Sequence, residues 1–139
     1  MPRVARCFPT FLVLAAALAC RTDKPVDQAK QSLTAAARAL EAGDLAGGTE
    51  LLSPTFRLEG PEGDLDRPQL KLFLLGLLRQ GRPGILLLHV EGREVGEEVT
   101  QEVEALLSFQ GERARRRWVL TWRREGGTWR VTRARALEP

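Results

Sequence analysis

His89 is the only histidine of the chain, and imidazole is the side chain best suited to move a proton near neutral pH. Strict strand alternation puts it on one face with Ile85 and Leu87, opposite Leu86, Leu88 and Val90. There it could be a general base facing a pocket, or a strand histidine near a sheet end or a subunit contact. Gln101 is the polar residue on an otherwise apolar strand face formed by Val99, Val103, Ala105, Leu107 and Phe109. A buried amide needs partners, so Gln101 could orient a ligand or bond to a neighbour. Trp118, Leu120 and Trp122 alternate before Gly126-Gly127, and Trp129 and Val131 alternate after it. A two-residue Gly-Gly loop pairs Trp122 with Val131 and Leu120 with Arg133, which gathers the three tryptophans on one face. Trp118 and Trp122 are then core first and pocket wall second. In that register Arg133 and Arg135 share the tryptophan face, where they could clamp an anion at a pocket rim or stand in water beyond the core.

Other chemistry is excluded or has a plainer reading. With Cys7 and Cys20 both near the start and one histidine, zinc held by nitrogen and sulfur ligands is not expected, and no cofactor is implied. The aspartates at 23, 27, 44, 64 and 66 fall in a tether, at helix starts and in loops, where Asp44 and Asp66 read as caps. Glu102 and Glu104 read as a solvated strand face that can pair with arginines across the sheet. Arg113, Arg115, Arg116 and Arg117 precede Trp118. Basic residues beside an aromatic can bind single-stranded nucleic acid, touch anionic lipid headgroups, or simply protect a strand edge. The last is the default, and no nucleic-acid partner is expected.

The first twenty residues read as an address. Arg3 and Arg6 precede an uncharged run from Cys7 to Cys20, too short before Arg21, Asp23 and Lys24 to span a bilayer. Its end, Ala17-Leu18-Ala19-Cys20, resembles the lipobox of bacterial lipoproteins, with Ala17 where leucine is commoner. The resemblance implies cleavage before Cys20 and acylation, palmitate included, of that cysteine. By the same resemblance Arg21 directs a Gram-negative lipoprotein to the outer membrane, facing the periplasm. Residues 1–19 are thus read as signal, residues 20–25 as lipidated cysteine and a tether reaching at most ~17 Å, and residues 26–139 as one domain. From Cys20 to Pro139 there are 19 basic and 18 acidic residues, but Gly111 to Pro139 holds nine arginines against three glutamates. The basic character belongs to one end, so it is no argument for nucleic acid.

Within the domain, Val26, Ala29, Leu33, Ala36, Ala37 and Leu40 form a helical stripe over Val26–Ala42 that Gly43 stops. Asp44 is expected to cap a short second helix covering Leu45, Leu51 and Leu52 and closed by Pro54. Phe56–Leu58 reads as a short strand and Gly60–Gly63 as a loop. Asp66 with Pro68 starts a third helix, ending near Arg79, with Leu70, Phe73, Leu74, Leu77 and Leu78 on a wide apolar face. From Ile85 the period becomes two. Ile85–Val90 is apolar on both faces, as in a strand covered on both sides, and Val99–Phe109 has one wet side.

This order resembles the nuclear-transport-factor-2-like (SnoaL-like) superfamily. The residues that carry the resemblance are Ala39–Leu45, Leu51–Phe56, Leu70–Leu78 and the closing hairpin Trp122–Val131. It implies an α+β cone in which three N-terminal helices pack on a curved antiparallel sheet, with a pocket between and often a homodimer through the other sheet face. The superfamily holds isomerases, cyclases, dehydratases and binding modules, so the fold leaves function open. The acid/base set of its ketosteroid isomerases, an Asp base with Tyr and a protonated Asp, has no counterpart, because the chain contains no tyrosine. The favoured reading is a lipid-anchored, non-enzymatic ligand-binding or assembly domain. A small isomerase or hydrolase-like enzyme using His89 with Gln101 or a pocket arginine is the alternative. A structural envelope protein acting through its surface is the third. Convergence of His89 and Gln101 on one cavity separates the first two.

Overall fold

The computed structural model describes residues 24–137. The signal and lipobox readings, with Cys7 and Cys20, lie outside these residues. Helix α1 (Pro25–Glu41) buries Ala29, Ala36 and Ala37, whose small side chains let the helix lie close on the sheet. Helix α2 (Leu45–Thr49) is capped by Asp44, whose carboxylate accepts from the Gly47 N–H at 3.0 Å. Here the chain departs from the expected course. Leu52 is not helical but opens strand β1 (Leu52–Gly60), which continues through Pro54. Proline is tolerated because β2 (Gly63–Asp66) pairs only with Arg57–Gly60, and pairing on the other side is irregular between Leu52 and Arg57. The glycine-proline loop is therefore the tip of a hairpin.

Helix α3 (Arg67–Gln80) follows at once. Its start is a capping box in which Asp66 accepts from the Gln69 N–H and the Gln69 side chain accepts from the Asp66 N–H. Four long strands complete the chain: β3 (Gly84–Val95), β4 (Glu98–Phe109), β5 (Glu112–Glu125) and β6 (Thr128–Leu137). The six strands form one sheet in the order β2-β1-β6-β5-β4-β3. The sheet is mixed, since β1 runs parallel to β6, and α3 lies after the first hairpin rather than with the other helices. Both points correct the expected three leading helices on an antiparallel sheet.

The β5–β6 turn is the expected two-residue loop. Gly126 and Gly127 have φ of 57° and 82°, and Glu125 faces Thr128. Two positive φ values in succession suit glycine and match the twist of the strands. Trp122 pairs with Val131 as expected. One residue later the ladder slips, because Thr121 faces Arg133 and Thr132 is left over as a bulge. A second bulge falls in β3, where Leu87 faces Ala105 but His89 faces Glu104, leaving Leu88 unmatched. Each bulge reverses, for the residues beyond it, the face that strict alternation assigns.

The core gathers under the first half of α1, where Ala29, Leu52, Phe56, Val99, Trp122, Val131 and Ala134 form one buried cluster. Trp122 is 0% exposed at its centre. At this end the cone is closed.

Candidate functional site

Toward the other end, α1, α3 and the concave side of the sheet separate and leave a cavity of about 460 Å³. This lies within the ~300–1,000 Å³ usual for small-molecule sites. α1 contributes Leu33, Ala36, Ala37 and Leu40, and α3 contributes Leu70, Phe73, Leu74, Leu77 and Leu78. The sheet supplies Leu87, Val103, Ala105, Leu107, Trp118 and Leu120 among others. Of all the lining residues only Ser108 and Trp118 carry a polar side-chain atom. Ser108 pairs with Gly84, on the opposite parity from the inward pair Ile85 and Leu107, so its hydroxyl belongs to the outer side. Among the described residues the wall carries no carboxylate, imidazole, amide, thiol or cationic group. Such a surface can take an apolar molecule out of water.

The bulges decide where the candidate residues stand. Leu88 turns His89 to the outer face, with its side chain 54% exposed and Nε2 3.2 Å from Glu91 Oε2. His89 therefore borders the groove of about 490 Å³ between α1 and the free edge of β3, not the cavity. This corrects its expected place beside Ile85 and Leu87, which do line the cavity. Thr132 does the same to the end of β6. Ala134 takes the inward position opposite Leu120, while Arg133 and Arg135 face outward, both exposed. They are not on the tryptophan face and do not rim the pocket.

Gln101 is 1% exposed and points into the core, where its Oε1 accepts from Trp122 Nε1 at 3.0 Å. Its Nε2 has no partner among the described residues. Neither Gln101 nor Trp122 lines the cavity; they form a buried polar pair beneath it. Trp118 is the one candidate that the structure places in the cavity wall. His89 and Gln101 do not converge. The cavity residues that residue-type reasoning passed over are the alanines and leucines of α1, α3 and β4, and their signal was the width of the apolar face on α3.

The outward charges pair with one another. Arg133 Nη2 donates to Glu59 Oε2 at 2.8 Å, Arg115 lies 3.4 Å from Glu104, and Arg123 lies 3.8 Å from Glu98. The Arg133 hydrogen bond, opposed in part by desolvation, holds the Glu59 carboxyl below its ordinary range. A carboxyl with a lowered folded-state pKa contributes stability above its unfolded pKa, and loses it as pH falls through the folded value. Glu59→Gln is therefore expected to melt slightly lower than the unaltered protein at pH 7. The two should converge under acid conditions, read by thermal melts across the acid range. Salt should reduce the difference, since the pair is exposed.

An α+β cone, closed at one end by a tryptophan-centred core and hollowed at the other into an apolar cavity, is a recognisable architecture. The fold is nuclear-transport-factor-2-like. A nuclear-transport-factor-2-like protein of unknown function from Pseudomonas putida superposes with a TM-score of 0.69 at 13% identity, over 79% of this chain and 83% of that one. A nuclear-transport-factor-2-like protein with a cystatin-like fold from Novosphingobium aromaticivorans gives 0.67 at 16% identity, over 88% and 86%. A protein of unknown function from Mycobacterium tuberculosis gives 0.70 at 14%, over 84% and 76%. No protein-family model matches the sequence, and no curated protein does.

Proposed function

We propose that this protein is a lipid-anchored envelope protein whose cone binds an apolar small molecule without transforming it. The observation that carries the binding reading is the wall of the cavity, a half-open space of about 460 Å³ lined mainly by leucine, alanine, phenylalanine and valine. Affinity then comes from apolar area removed from water, at roughly 25 cal/mol per Å² before the costs of association. Selectivity comes from shape, because no side chain in the wall is placed to read a polar group deep inside. The anchor reading rests on Ala17-Leu18-Ala19-Cys20 and the basic, apolar run before it, and on Arg21 for an outer-membrane address.

Native mass spectrometry of the gently purified protein, before and after addition of the apolar dye 1-N-phenylnaphthylamine, tests the binding reading. The expected spectrum shows a single dissociable molecule per chain, either carried from the cell or supplied as dye. A chain that stays ligand-free at saturating dye overturns it. Incorporation of labelled palmitate, lost in Cys20→Ser, is the expected result for the anchor. Equal labelling of the two chains, or none in either, contradicts it.

A further inference from the structure

Helix α3 is apolar nearly all round, yet it buries none of its residues. A helix of that composition normally lies within a core or against lipid. Its inner side walls the cavity. Its outer side presents Leu72 at 69% exposure, beside Phe73, 56% exposed, which reaches both the cavity and the surface. Acidic residues stand only at the N-terminal end of this helix, where Asp66 caps it and Asp64 lies on β2. From Arg67 to Val90 there is no aspartate or glutamate, while Lys71, Arg79 and Arg82 stand on or just beyond α3. Gln110 Nε2 donates to Gln80 O at 3.4 Å, tying the β4–β5 turn to the end of the helix. Just past that turn, Arg116, which pairs with the inward-facing Ala105, is exposed and has no carboxylate partner among the described residues.

We propose that α3 is a membrane-docking helix that lies in the interface of an anionic bilayer, its apolar outer side among the acyl chains and the flanking cations on the headgroups. Exposed apolar residues with lysine and arginine beside them are what such an interfacial helix requires. At 14 residues, ~21 Å long, it is too short to cross. The proposal depends neither on Cys20 nor on a ligand. If the cavity also binds an apolar molecule, as proposed above, the same helix separates that molecule from the bilayer, and exchange between the two passes beside α3.

The test is a depth measurement local to α3 on the full chain. Leu72→Cys, in a background of Cys7→Ser and Cys20→Ser, carries a bimane label. A second chain carries it at Thr128→Cys, exposed at the β5–β6 turn of the closed end. Both are mixed with vesicles of phosphatidylcholine, with or without phosphatidylglycerol, and with nitroxide lipid as quencher. The label at position 72 is expected to shift to the blue and be quenched in the anionic vesicles, while the label at 128 is not. Lys71→Glu with Arg79→Glu is expected to lower that partitioning at least ~25-fold, on the basis of ~5-fold per cation at an anionic surface. A solvent-like label at 72 in anionic vesicles overturns the proposal, as does the same response with and without phosphatidylglycerol. A blue shift that grows with protein concentration in lipid-free buffer also overturns it, and would assign the surface to a second copy of the chain. Because the readout is label depth, its failure leaves ligand binding untouched.

Discussion

Ala134→Glu is expected to bring the protein to the edge of unfolding, while Arg133→Ala, one residue away, leaves it folded and only slightly less stable. Ala134 is 5% exposed, belongs to the core cluster and faces Leu120 across the sheet. A carboxylate there has no cation within the apolar wall, and an uncompensated buried charge costs about 3–5 kcal/mol. That is a large share of the ~5–15 kcal/mol that holds a domain together. Arg133 stands outside and loses only a surface pair with Glu59. The contrast exists because of the Thr132 bulge, since unbroken alternation from Val131 reverses the two positions. Urea denaturation of both variants reads it directly. A severe loss at Arg133 with tolerance at Ala134 would mean that the ladder runs without the bulge.

The second large effect concerns the cavity. Ala105 lies on β4, 1% exposed, with its side chain toward the cavity. Ala105→Phe puts a ring into the space the ligand would occupy. Binding of 1-N-phenylnaphthylamine is expected to weaken by at least ~10-fold, the equivalent of 1.4 kcal/mol. The midpoint of thermal unfolding should hold or rise, because filling a cavity removes empty space without opening the core. A variant that melts far lower reports strain rather than occlusion. In that case Ala36→Leu, entering from α1 on the opposite wall, provides the same occlusion from a helix.

These two contrasts also mark what was legible in the sequence. The helices α1 and α3 and the last hairpin are legible because their signals are local: Gly43, Asp66 with Pro68, and Gly126-Gly127 each fix a boundary within a few residues. Strand β1 is not legible locally, because Leu51-Leu52-Ser53-Pro54 carries the pattern of a helix end and its strand state is set by a parallel partner, β6, some eighty residues away. Tertiary pairing overrode the local signal. The short strand β2 has no periodicity of its own and exists because it returns along β1.

The site was harder to read for a different reason. Strict alternation assigns each strand residue a face, and a bulge breaks alternation at a single residue. Nothing in the identity of Leu88 or Thr132 announces one. The reversal is therefore confined to residues beyond the slips, His89 and Val90 in β3 and Arg133 with Arg135 in β6, while Gln101, Trp118 and Trp122 stay on the face alternation assigns them. The double-sided apolar run Ile85–Val90 has a related explanation. β3 is an edge strand, with Ile85, Leu87 and Val90 turned inward and Leu86 and Leu88 exposed. The cavity itself could be foreseen only through the resemblance of the element order, because an empty space has no residue to mark it.

The most direct test of the account follows from the placement of the three tryptophans. Trp118 lines the cavity, Trp122 is sealed in the core, and Trp129 packs against that core at the closed end. Titration with a brominated long-chain hydrocarbon amphiphile, followed by tryptophan emission, is predicted to quench the contribution of Trp118 alone, saturating at one molecule per chain. In Trp118→Phe the quenching should vanish while the remaining emission is unchanged. Quenching that persists in Trp118→Phe, or that never saturates, would contradict the cavity as the binding site.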